Sequence, residues 1–174
     1  MKPTGGFTLA LASVVCCGNP TSSSSLYQDQ AGIPSAGSAP SAMATGSGNT
    51  IVAGTLRTFS FTARHAADGS AQGTAQINNR FVEEMFQVDI DCLEVFANLA
   101  IMSGIITRHT DTTAIGLPGI FAVRDVGEGS GSPPDSITQV VFLPRGAPLT
   151  CHDVTPTDVE GFMAPIVGGS VQVH

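Results

Sequence analysis

The stretch Thr55-Leu56-Arg57-Thr58-Phe59-Ser60-Phe61-Thr62-Ala63-Arg64 decides the fold. Phe59, Phe61 and Ala63 fall on one side of an extended chain, and Thr58, Ser60 and Thr62 fall on the other. Period two with one apolar face specifies a half-buried β-strand. Asp68-Gly69 follows, a turn pair suited to positive φ, and Ser70 to Asn79 then sets Ala71, Gly73, Ala75 and Ile77 against Ser70, Gln72, Thr74 and Gln76. The two runs read as a hairpin whose small inward residues Ala71, Gly73 and Ala75 oppose Phe59 and Phe61 across the pair or across the core.

The pattern continues downstream. Glu84 to Phe96 is the longest strand candidate, with Phe86, Val88, Ile90 and Cys92 on one face and Gln87, Asp89 and Asp91 on the other. Ala97-Asn98 makes a tight turn into Leu99 to Arg108, a run apolar on both faces, which implies a central position or a covered outer face. Gly119 to Val126 and Ser136 to Leu143 supply two more strands around a glycine- and proline-rich loop. An irregular tail, Pro144 to Pro165, leads to a short closing strand at Ser170 to His174. No helix is evident. Six to seven strands with regular turn signals predict an all-β antiparallel meander closing as a barrel or a sandwich.

Composition agrees. Across 174 residues there is no tryptophan and 12% of residues are charged, a turn-rich profile poor in helix formers. Lys2 is the one lysine, and the remaining basic side chains are six arginines against fourteen acids. Such a body lacks the cationic surface that neutralises phosphates, so nucleic acid and anionic membranes are excluded as expected partners.

Residues 1–17 read as a signal peptide: Lys2 precedes the uncharged run Phe7 to Val15, too short to span a bilayer. Cys16 or Cys17 stands where a bacterial lipoprotein carries its acylated cysteine, although Val15 departs from the small residue such a site prefers; plain cleavage nearby is the other reading. Lipid on one of the two would be the route to a membrane. Residues 18–50, rich in Ser, Gly, Ala and Pro, read as a flexible tether that cannot bury enough apolar surface to offset its ordering entropy. The β-domain is then assigned to residues 51–174. Cys92 and Cys151 are expected to pair in an exported protein, closing a loop that contributes on the order of 4 kcal/mol from chain entropy; the alternative is a buried free Cys92 and an exposed Cys151.

The order Phe59-x-Phe61-x-Ala63-Arg64, Asp68-Gly69-x-Ala71-x-Gly73, Asp91-Cys92-Leu93-x-Val95, Gly104-x-Ile106-Thr107, Asp125-x-Gly127-Glu128-Gly129, Pro133-Pro134-Asp135 and Gly169-Ser170-Val171-Gln172-Val173-His174 resembles an uncharacterised β-rich domain of bacterial exported and surface proteins. The resemblance covers about residues 54–174. It implies an exported all-β domain, alone or at the end of larger surface proteins, and brings no catalytic activity. Val126 stands where members of that domain typically carry an asparagine, which weakens the case for an asparagine ligand there.

Chemistry-bearing residues are few. Asp125, Glu128 and Asp135 bracket a glycine-rich loop, and oxygen-rich loops of this kind can hold calcium; a turn whose acids cap backbone amides is the plainer expectation. No other cofactor is expected. Asp89 and Asp91, about 7 Å apart along one strand face, have a separation compatible with an acid/base pair if they faced a cavity. His65, His109, His152 and His174 lack zinc spacing, and Gly129-Ser130-Gly131-Ser132 lacks a nucleophile elbow's context. The expected function is therefore non-enzymatic: an exported, lipid-anchored or released β-domain in surface structure or partner binding. Two alternatives are a barrel binding a small apolar ligand among Phe59, Phe61, Phe86, Ile90 and Met102, and a barrel isomerase or hydrolase using the two aspartates.

Overall fold

A computed structural model describes residues 42–174 except Ala67, Glu128 and Ser130. The leader, Cys16, Cys17 and most of the expected tether lie outside the described residues. Nine antiparallel strands run in the order β1 (Met43–Val52), β2 (Thr55–His65), β3 (Ala71–Asn79), β4 (Glu84–Phe96), β5 (Leu99–His109), β6 (Pro118–Arg124), β7 (Ser136–Ile137), β8 (Val141–Phe142) and β9 (Ala164–Val173). The neighbour sequence β5-β4-β3-β2-β1-β9-β7-β6 closes on itself through β5–β6 pairing, so the sheet is an eight-stranded barrel rather than a sandwich. Short β8 also pairs with β6, further along the edge that β7 occupies.

The tether boundary is corrected. Residues 43–50, assigned to the tether because that stretch holds almost no large apolar side chains, belong to β1, which pairs with β2 on one edge and β9 on the other. Their smallness is what the packing requires: Gly46 pairs with Phe61, and a Cβ on Gly48 would lie 2.3 Å from the Gly168 carbonyl oxygen of β9. A Cβ on Gly46 would lie 2.9 Å from a Phe61 ring carbon and 2.6 Å from Val171 Cγ1. A strand that makes room for its neighbours' rings carries no apolar alternation of its own.

The hairpins at Asp68-Gly69 and Ala97-Asn98 form as expected, with Phe61 paired to Ala75 and Phe96 to Leu99. Phe59 lies opposite Ile77 rather than a small residue. A β-bulge between Ile90 and Cys92 leaves Asp91 unpaired and reverses the alternation of β4 beyond it. Phe86, Val88 and Ile90 face the barrel interior, as does Leu93, whereas Cys92 joins a separate outer cluster. The expectation that Cys92 shares the face of Phe86, Val88 and Ile90 fails for that reason.

The interior is filled by Phe59, Phe61, Phe86, Val88, Ile90, Leu93, Met102, Ile106, Phe121, Val123 and Val171. Phe61 packs edge-on against Phe121, with centroids 6.0 Å apart. The double-sided apolarity of β5 is explained by a second core: Leu99 and Ile101 point outward with Ile120 and Ala122 of β6, and are buried beneath the tail by Cys151, Val154, Val159 and Met163. Full burial of a side chain such as Leu99 or Ile101 contributes about 1.5–3 kcal/mol, and the partly buried Val154, Val159 and Met163 contribute less. The tail also holds a short helix, α1 (Pro156–Glu160). Its signal was legible in Thr155-Pro156-Thr157-Asp158, a capping box with proline at the first helical position.

Candidate functional site

The disulfide between Cys92 and Cys151 spans 59 residues and fastens the tail to β4. Cys151 is fully buried, and its amide donates to Ser103 Oγ at 3.1 Å. His152 stands beside the bridge, but both sulfurs are covalently engaged and no thiolate is left to a cation. His152 Nδ1 instead meets Glu94 Oε1 at 2.5 Å, an exposed pair of small energetic weight.

The tail is held by its own turns. Asp153 accepts from the Thr150 amide at 2.8 Å, and Asp158 accepts from the Thr155 amide at 2.8 Å and the Thr155 hydroxyl at 2.6 Å. These hydrogen bonds keep both carboxyls below the usual carboxylate range. Arg124 of β6 forms a two-pronged ion pair with Glu160 of α1, which raises the guanidinium and lowers the carboxyl.

Between this tail and the barrel wall runs a groove of about 630 Å³. One bank is Thr138 to Val141 with Leu143, the other is Asp158, Val159 and Gly161 to Met163, and Ile120 lies between them. Its lining is mostly apolar, with Phe162 73% and Val141 54% exposed. A groove of that size lies within the range of ligand and peptide sites. The barrel interior, by contrast, retains a cavity of about 30 Å³ at one end, among Phe59, Phe61, Phe86, Phe121 and Val140. That is space for a water or two.

The residues expected to line a ligand cavity, Phe59, Phe61, Phe86, Ile90 and Met102, are buried core side chains packed against one another's neighbours. Asp89 and Asp91 lie on the outer surface, and neither lines the groove or the interior cavity. Asp89 accepts from Gln87 and from Thr107, each at 3.1 Å. Burial raises the Asp91 carboxyl from its ordinary value even though the residue as a whole remains exposed at the bulge.

Asp125 and Asp135 are brought together by the β6–β7 loop and β9, while Glu128 lies outside the described residues. Asp125 accepts from the amides of Gly127 at 2.8 Å and Val173 at 3.2 Å. Asp135 accepts from the amides of Val126 and Val171, each at 2.9 Å. All four carboxylate oxygens thus bind backbone amides and tie the loop to the last strand.

The histidines are dispersed. His65 Nε2 lies 2.9 Å from the Leu93 carbonyl, His174 pairs with Met43 through its backbone, and His109 stacks on Phe86 with centroids 5.5 Å apart. His109 Nδ1 accepts from the Asp111 amide at 2.8 Å, which leaves the proton on Nε2, 3.5 Å from Glu84.

The groove is what reasoning from sequence missed. Val141, Leu149 and Phe162 are exposed apolar residues scattered through segments without periodicity, so nothing local marks them as one surface. The fold and site define a disulfide-stapled antiparallel β-barrel with an external apolar groove. No family model, curated protein or solved structure matches the chain.

Proposed function

We propose that this chain is an exported β-barrel domain that acts by binding through the outside of its wall, without catalysis. The observation that carries the reading is the pairing of a packed interior with an apolar groove of about 630 Å³ beneath a covalently stapled cover. A contiguous apolar concavity left in water by a small domain marks an interaction surface. The Cys92–Cys151 bond supports export, because such bridges persist in oxidising compartments. The leader and the paired Cys16-Cys17 support processing, with one cysteine as the acyl attachment point.

Two measurements test the reading. Mass spectrometry of the mature protein from its host should show a chain shortened near residue 17, with an intact bridge; a full-length reduced chain refutes export. Anilinonaphthalene sulfonate should brighten on the folded protein and lose that signal in Val141→Glu/Phe162→Ser at unchanged melting temperature. An undiminished signal refutes the groove as the binding surface.

A further inference from the structure

Resting on the groove as a binding surface, we infer that its occupant is an extended peptide that adds a strand to the open edge of β8. Leu143 donates its amide to the Pro118 carbonyl at 2.8 Å, and Val141 and Phe142 pair in register with Ile120 and Gly119. In an antiparallel pair successive residues direct their backbone groups alternately toward and away from the partner. Leu143 and Val141 therefore face β6, and Phe142 and Val140 turn theirs to the opposite edge. No partner among the described residues takes the Phe142 or Val140 backbone groups.

The same edge is occupied one step earlier. Ile137 of β7 pairs with Ala164 of β9, but preceding Ala164 the chain turns through Gly161 to Met163 out of α1, so β9 does not extend along β8. The groove lies where that ladder stops, bounded by residues 138–141 on one side and 158–163 on the other.

Three features choose the occupant. An apolar small molecule seated here would lie against Val140 without pairing its amide and carbonyl, a desolvation cost that an added strand avoids. Val141 and Leu143 project to the side on which alternate residues of such a strand would rest, so its groove-facing positions should be apolar. Asp158 is the charged member of the lining, anchored by Thr155, and favours a basic residue in the peptide. The same charge, in a chain of net charge −7, disfavours a second copy at this edge.

The test uses the disulfide-intact chain and twelve-residue peptides enriched on it from a random displayed library. Enriched peptides should alternate apolar residues with at least one Lys or Arg, and should bind about tenfold or more weakly to Val141→Glu. Methylating alternate backbone nitrogens of a binder, with side chains kept, should weaken it by a similar factor or more when the methylated face is the paired one. If methylation on either face leaves affinity unchanged, side chains alone are recognised and strand addition is overturned, while groove binding survives. If enriched peptides bind Val141→Glu as well as the parent, both readings fall. A concentration-dependent dimer that Val141→Glu dissociates assigns the edge to a second copy and overturns the peptide.

Discussion

Asp135 accepts the amide proton of Val171 at 2.9 Å across 36 residues of sequence, and with its other oxygen it holds Val126 in the loop after β6. One partly buried carboxylate thereby joins the loop between β6 and β7 to the closing strand. Asp135→Ala should lower stability by about 3 kcal/mol, because hydrogen bonds to a charged acceptor are the stronger kind and two amides lose their partner. Asp135→Asn should recover part of that, since one oxygen remains an acceptor. Asp125→Ala should cost less, its bonds being to exposed Gly127 and a longer one to Val173. Urea unfolding of the three variants checks the ranking; equal stability of Asp135→Ala and the parent would remove the clamp.

Gly46→Val should be among the most damaging substitutions in β1. The new side chain would enter the space of Phe61 and Val171, and overpacking of this kind costs about 1–3 kcal/mol or more. Ser47→Val, on the exposed side of the same strand, should be nearly neutral or slightly stabilising through strand propensity. Thermal unfolding of the two variants separates the faces, and comparable losses would mean that β1 is not seated against Phe61.

How much of this was readable from sequence follows from what each element buries. β2 and β4 face solvent on one side and core on the other, so alternation revealed them, and the predicted span of β4 equals the observed one. β1 was hidden because its inward positions Ala44, Gly46, Gly48 and Thr50 are small or polar, Gly46 leaving room for Phe61 and Val171 and Gly48 for the β9 backbone at Gly168. The bulge at Asp91 was hidden because alternation continues in type across it: Cys92 and Leu93 are both apolar, and which one faces inward depends on an unpaired backbone residue. The groove depends on where β9 parts from β7, a fact of three-dimensional closure. The bridge was legible from the expectation of export and from the count of cysteines after residue 17, and the role of Asp125 and Asp135 as amide acceptors was the plainer of two expectations.

Replacing both bridged cysteines, Cys92→Ala/Cys151→Ala, should reduce stability by about 4 kcal/mol, the chain-entropy value for a loop of this length. The loss should be uneven. Hydrogen exchange should accelerate most in residues 144–163 and at Leu99, Ile101 and Ile120, which the tail covers. The ladder of β2 and β3, which adds no residue to the cluster beneath the tail, should keep its protection. Uniform acceleration throughout the barrel would show that the cover is not a separable unit.

Acid should loosen the tail before it loosens the barrel. Asp153 and Asp158 are held below their ordinary values by bonds from Thr150 and Thr155, and Glu160 is held down by Arg124. A carboxylate whose folded value is depressed contributes stability that is complete above its unfolded value, near 3.9–4.3 for these types, and disappears as pH falls through the lower folded value. These three groups lie within residues 150–160 and are exposed, so each contributes little alone, but all titrate in the same direction and on the same segment. Exchange in residues 150–163 should therefore quicken as pH drops from about 5 toward 2, after correction for intrinsic rates, while the bridge at Cys151 keeps the segment attached. Asp153→Asn/Asp158→Asn should show the faster exchange already at neutral pH and lose much of the acid response. A segment whose corrected exchange is flat over that range would mean that the capping carboxylates do not hold the cover in place.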